Sequence, residues 1–212
     1  PARTRILASA IEHHAVLDPL DWLAEHEGTE VELIGVDERG RLDVDALRAA
    51  IERDPGSVAL ISVMWANNEV GTVQPLEAVA AVAREHAPGA LLHTDAVQAV
   101  PWVDVAARAA GWDLLAVSAH KFGGPKGVGA LVVREGTDVA PQLLGGGQER
   151  ERRSGTPNVA GIVAAAVALE LAVEERATVV DRVGALRDRL ADGLVAAVPG
   201  LCETGVPTGP DG

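Results

Sequence analysis

The chain holds 18 basic residues, of which two are lysine: Lys121 and Lys126. Both sit in one stretch, VSAHKFGGPKGVGALVV, from Val117 to Val133. Arginine and lysine carry the same charge but differ in reactivity. A primary amine can shed its proton and add to a carbonyl; a guanidinium stays protonated. Lysine kept at the end of an apolar run, in a chain that otherwise uses arginine, points to an amine in covalent work. The rival reading is a chance pair in a glycine-rich loop.

The neighbours weigh against chance. Ser118 and His120 precede Lys121, and glycines 123, 124, 127 and 129 permit close backbone approach. No G-x4-G-K-[ST] and no G-x-G-x-x-G occurs. A phosphate here would be held by side chains such as Ser118 and His120, not by a nucleotide-binding glycine loop. A second apolar run ends in HTDAVQ, with Asp95 at its tip and Gln98 three residues on. A carboxylate there is also a common turn residue. A third ends in WANNEVG, with Asn67 and Asn68, and a fourth in EHHAV, with His13 and His14. Adjacent histidines could hold a metal, but no second spaced His or Cys pair accompanies them, so no metal site is assigned. Together the four ends offer an aromatic base, an amide, a carboxylate, and an amine beside Ser and His. Pyridoxal phosphate would use all of them. Its aldehyde takes a lysine, its ring nitrogen an acidic partner, and its phosphate Ser and His donors.

These residues need a scaffold that brings strand ends together. Apolar runs at 5–11, 30–36, 57–65, 90–95, 113–119 and 129–135 read as strands. Between them lie a helix over 15–28 interrupted early by Pro19 and stopped by Gly28, and a helix over 43–56 capped by Asp43. A third helix, opened by Pro75, runs to 89, and a short one covers 103–111. Alternating strands and helices with short connections predict an α/β fold with a parallel sheet. Ligands of such sheets lie beyond the carboxyl ends of the strands. From Pro157 to about Val198 the chain is Ala-, Val- and Leu-rich at helical spacing, with Thr156-Pro157 as cap and first position. This length reads as two helices, or one bent helix bridging domains with Gly184 as its weak point.

Bulk properties narrow the function classes. With 212 residues, 48% hydrophobic, one Phe and no Tyr, the core must be aliphatic, which suits a buried parallel sheet. A net charge of −13 argues against nucleic acid as a partner. No apolar run reaches the roughly 18 residues of a membrane span. The single Cys202 cannot form an internal disulfide and points to a reducing cytoplasm. The opening RILASAIEHH already reads as a strand, and the closing ETGVPTGPDG leads nowhere. An internal piece of a longer protein is expected.

Five blocks in order, EHHAVLD, VMWANNEVGTVQP, HTDAVQAVP, SAHKFGGPKGVGAL and GGGQERERRSGTPN, carry a family likeness. The chain resembles the cysteine desulfurases. These are the NifS/IscS-like branch of the class V aminotransferases, fold-type I pyridoxal-phosphate enzymes. The resemblance implies a large cofactor-binding domain over 1–177, a mostly parallel sheet flanked by helices whose N-terminal part is missing. Residues 178–212 would begin a small C-terminal α+β domain. It implies that Lys121 bonds the cofactor aldehyde and moves the substrate proton, and that Asp95 pairs with the ring nitrogen. His13 would stack on the ring and move protons, and Gln98 would bond the phenolic oxygen. Ser118 and His120 would hold the phosphate. Asn67 would sit near the phenolic oxygen and the substrate carboxylate. Thr156 would reach the phosphate of a partner subunit, which implies a homodimer with shared sites. The substrate would be L-cysteine, converted to L-alanine, with sulfur passed as a persulfide toward an iron-sulfur scaffold or another acceptor protein. The family's sulfur-accepting cysteine lies in a Ser/Gly/Ala-rich loop. Cys202, in PGLCETG, does not match it, so the 212 residues alone are expected not to turn over cysteine. Two other readings share the constellation in part: another class V enzyme, such as a selenocysteine lyase or an aminotransferase, and a non-catalytic dimeric scaffold.

Overall fold

The computed structural model describes residues 3–206. Six strands, β1 (Arg5–Ser9), β2 (Glu30–Ile34), β3 (Val58–Ser62), β4 (Leu91–Asp95), β5 (Leu114–Ser118) and β6 (Gly129–Val133), form one sheet. Its order is β2-β1-β3-β4-β5-β6. The first five strands pair in parallel, because α1 (His14–His26), α2 (Val44–Arg53), α3 (Leu76–His86) and α4 (Val105–Arg108) supply the crossovers. Between β5 and β6 there is a glycine-rich turn and no α-helix, and β6 returns antiparallel. The fold is α/β, as the alternation predicts, and the sheet is parallel except for β6.

Side-chain alternation divides the core between two faces. Leu7, Ile61, Leu92 and Leu115 point to one face and pack against Leu47 and Ile51 of α2 and Val79 and Val82 of α3. Leu47 and Ile51 lie four apart, one helical turn, which puts both on the sheet. Ile6, Ala8 and Leu60 point to the other face, where Leu20 of α1 covers them. Strand order reverses between β1 and β3: the chain leaves β1 toward β2 on one side and resumes at β3 on the other. Loops at such a switch point diverge and open a crevice at the carboxyl edge.

The observed strands are shorter than the apolar runs, because pairing stops where the chain turns toward that edge. Pro19 does not interrupt α1; it sits inside the helix, and the carbonyl of exposed Ala15 loses one helical partner to it. Asp43 caps α2 as expected, its Oδ1 accepting the Ala46 N–H at 2.9 Å. The final helix starts differently from the expectation. Asn158, not Thr156, is the cap, accepting the Gly161 N–H at 3.0 Å. This helix, α5 (Val159–Ala197), is one uninterrupted run of 39 residues that passes through Gly184. At a rise of 1.5 Å per residue it is roughly 58 Å long. None of its residues is fully buried, and Val159, Val163, Val167 and Leu190 are at least half exposed. Among the described residues no helix is long and apolar enough to cross a membrane.

Candidate active site

The parallel strands deliver their carboxyl ends to one edge. His13 follows β1, Asn67 follows β3, Asp95 closes β4, and Lys121 lies three residues beyond β5. His13 caps α1: its Nδ1 accepts the Ala15 N–H at 3.0 Å. The ring is exposed, and so is His14, whose Nδ1 pairs with Asp18 at 2.9 Å.

The chain beyond β3 continues to follow β4. Trp65 N–H donates to the Asp95 carbonyl at 2.8 Å, which sets the next turn directly beside Asp95. Asn67 is buried there. Its Oδ1 accepts from the N–H groups of Glu69 and Val70, both at 2.9 Å, and its Nδ2 donates to the Ile11 carbonyl at 3.2 Å. That amide therefore knits the β3 turn to the turn carrying His13.

Asp95 is 9% exposed. Its Oδ1 accepts the Val97 N–H at 2.8 Å, while Oδ2 takes no hydrogen bond from any described residue. Gln98, half-buried, lies on the turn that follows. Asp95 pairs with Ala116 in the β4–β5 register, so Ser118, two residues on, extends the same edge. Ser118 Oγ and His120 Nδ1 are 2.7 Å apart. Lys121 is exposed at the end of a 3-10 turn, and its amine has no hydrogen bond or ion pair among the described residues. The glycines around it are needed for packing. A Cβ at Gly124 would meet Ala119 Cβ at 2.9 Å, and one at Gly129 would meet the Val117 carbonyl at 2.7 Å. Thr156 is exposed on the loop leading to α5. That loop contains Glu149, Arg150 and Glu151, all with φ between 52° and 67°, a left-handed turn built without glycine.

Three polar groups at this edge escaped the sequence reading. Glu12 is 5% exposed; burial drives its pKa up to about 8 against the hydrogen bond from Met64 N–H, and the charge on Asp95 adds to the rise. His93 and Ser62 are neighbours across β3 and β4, with Nδ1 and Oγ 2.8 Å apart. Burial pushes the His93 imidazole pKa down, and the charge of Asp95 opposes this only in part. His93 stands two residues before Asp95, so strand alternation places both on one face. Glu12 gave no comparable signal, since an acid at the end of a strand usually faces water.

Two hollows, of about 400 and 490 Å³, lie elsewhere, against residues 35–45 and between α3 and α4. No cluster of three His, Cys, Asp or Glu suited to a metal ion occurs among the described residues. Cys202 is free and exposed.

A family model described as Aminotransferase class-V matches residues 1–203. The chain belongs to this family. A cysteine desulfurase of Gluconacetobacter diazotrophicus is 50% identical over 206 residues, covering 96% of this chain and 50% of its own. An IscS-like cysteine desulfurase of Mycobacterium tuberculosis is 45% identical over 97% of this chain and 51% of its own. A solved NifS-like protein superposes with a TM-score of 0.87 at 40% identity, over 92% of this chain and 52% of its own. The structure titled SspA in complex with cysteine aligns at a TM-score of 0.71 and 37% identity, over 79% of this chain and 47% of its own. The chain thus spans about half the length of the curated relatives it matches.

Proposed function

We propose that this chain carries the cofactor-binding centre of a pyridoxal-phosphate-dependent cysteine desulfurase. The observation that carries this reading is the placement at one sheet edge of an unpartnered lysine amine beyond β5 and a buried, half-free carboxylate at the end of β4. Relatives at 45–50% identity named cysteine desulfurase support it. So does the solved structure whose title names a complex with cysteine.

The donor set fits the cofactor. Lys121 offers a free amine, Asp95 a free Oδ2, and Ser118 with His120 a hydroxyl and an imidazole suited to a phosphate. When bound, pyridoxal phosphate supplies an aldehyde and an electron-withdrawing ring that stabilises charge on the substrate carbon. Lys121 would hold the aldehyde, and its amine would take the proton from the substrate Cα. Asp95 holds the proton of the ring nitrogen. His13 would meet the ring, and Gln98 would donate to the phenolic oxygen. Asn67 sets the turn near that oxygen and the substrate carboxylate. Thr156 binds the phosphate of a partner subunit across a shared-site homodimer. The net reaction moves the sulfur of L-cysteine to a protein thiol: cysteine plus thiol gives alanine plus persulfide. The sulfur then passes to an iron-sulfur scaffold or another acceptor protein in the cytoplasm. Residues 1–177 form the cofactor domain, and residues 178–212, entered through α5, begin the smaller one.

Borohydride reduction of the full-length protein with pyridoxal phosphate tests this. A stable adduct is expected on Lys121 and absent in Lys121→Ala. Equal labelling in both proteins, or none in either, overturns the reading and favours a non-catalytic scaffold.

A further inference from the structure

Glu12 sits at the joint of three strand tips. It lies between the end of β1 and the start of α1, immediately before His13. Its Oε1 accepts the N–H of Met64, 52 residues along the chain and just beyond β3. Its Oε2 is buried and has no hydrogen-bond partner among the described residues. Its carboxyl is also near enough to Asp95 of β4 for the two to repel. The same turn is tied to β3 a second time, through the Ile11 carbonyl and Asn67 Nδ2.

An ionised Glu12 would leave a buried oxygen unpaired and place two like charges side by side. A proton on Oε2 removes both conflicts and leaves Oε1 free to accept from Met64. The groups that bear on this proton are few. From β4 come Asp95 and, on the same face, His93. From the turn comes His13. The β3 tip contributes a backbone N–H and an amide, neither of which titrates.

We propose that Glu12 is a positioning residue: as an uncharged acid it locks the His13 turn to the tip of β3 and leaves Asp95 to carry the negative charge that faces the ring nitrogen. The part concerning Asp95 rests on the pyridoxal-phosphate reading; the lock itself does not. A glutamine at position 12 keeps the carbonyl acceptor and the neutral charge. An alanine keeps neither the acceptor nor the volume.

The experiment uses the full-length protein with Glu12→Gln and Glu12→Ala. Pyridoxal phosphate affinity is measured from pH 6 to pH 9.5, with the wild type as reference. Relative to Glu12→Gln, the wild type is expected to lose affinity by about tenfold as pH rises through 8, the weight of one pKa unit of coupling. Glu12→Ala is expected to bind more weakly at every pH. In cofactor-free protein carrying carboxyl-¹³C glutamate, the resonance absent from Glu12→Gln should titrate near pH 8. Parallel pH dependence in wild type and Glu12→Gln, or titration of that resonance below pH 6, overturns the proposal. The resonance judges the lock even where Glu12→Ala does not fold. Failure of the cofactor reading itself shows separately, as borohydride labelling that persists in Lys121→Ala.

Discussion

The backbone N–H of Ala15 donates to Nδ1 of His13 at 3.0 Å. A ring nitrogen that accepts a hydrogen bond carries no proton, so the neutral imidazole bears its hydrogen on Nε2. The bond also fixes the ring at the mouth of α1. Under the proposed function the same side chain would also meet the cofactor, and substitutions separate that duty from the cap. His13→Ala should destabilise the protein by about 1 kcal/mol, the weight of a lost cap. His13→Asn should restore the cap and the urea midpoint yet still bind pyridoxal phosphate weakly. Equal urea midpoints for the alanine and asparagine variants would remove the capping role.

Charge and chemistry part company at Lys121. Lys121→Arg keeps the charge beside Ser118 and His120, but a guanidinium does not condense with an aldehyde. The variant should give no borohydride-trapped adduct, whereas Lys126→Arg should label like the wild type. Mass spectrometry of the reduced protein reads both.

Glu12 and His93 bend the pH profile of stability in opposite directions. Glu12 keeps its proton in the fold up to about pH 8, while the unfolded chain releases it near 4.5. More protons are then bound by the native state, so stability falls as pH rises from 4.5 to 8. At about 1.36 kcal/mol per pKa unit the loss is of order 5 kcal/mol. His93 has a lowered pKa, so its contribution is complete above 6.5 and fades as pH falls below that value. Urea unfolding of wild type and Glu12→Gln across this range isolates the first effect. The wild type should lose stability relative to the variant between pH 4.5 and 8; a constant difference would contradict the buried acid.

The left-handed turn at Glu149, Arg150 and Glu151 stores strain that glycine would relieve. A side chain in that conformation costs roughly 1–2 kcal/mol, and glycine gives back part of the relief as unfolded-state entropy. Arg150→Gly should therefore stabilise the protein by up to about 1 kcal/mol. Arg150→Val, branched at Cβ, should destabilise it. The order glycine above arginine above valine in urea midpoint checks the turn.

The sheet was legible in the sequence because its strands are short apolar runs separated by clear helical periods. Lys121, Asp95, Asn67 and His13 were legible because each is polar and ends such a run. The start of α5 was misplaced by two residues, since Thr156-Pro157 and Asn158 are both competent openings and only the Gly161 N–H chooses between them. The helix is not broken at Gly184: one glycine costs a helix only about 1 kcal/mol, too little to end a run of 39 residues. Glu12 stayed hidden because the groups it meets in its buried position, Met64 and Asp95, are 52 and 83 positions away. Burial produced by distant chain segments leaves no local pattern. His93 was within reach, for it shares the strand face of Asp95.

The backbone on both sides of Lys121 is clasped: Gly124 N–H bonds the Ala119 carbonyl at 2.8 Å, and Ala119 N–H bonds that of Val128 at 3.0 Å. The amine beyond it is unrestrained. Its reach is therefore a matter of bond rotations along four methylenes, which in an exposed side chain take picoseconds to nanoseconds. Under the proposed function, transfers at this amine would draw on side-chain rotation rather than on movement of the backbone that carries it.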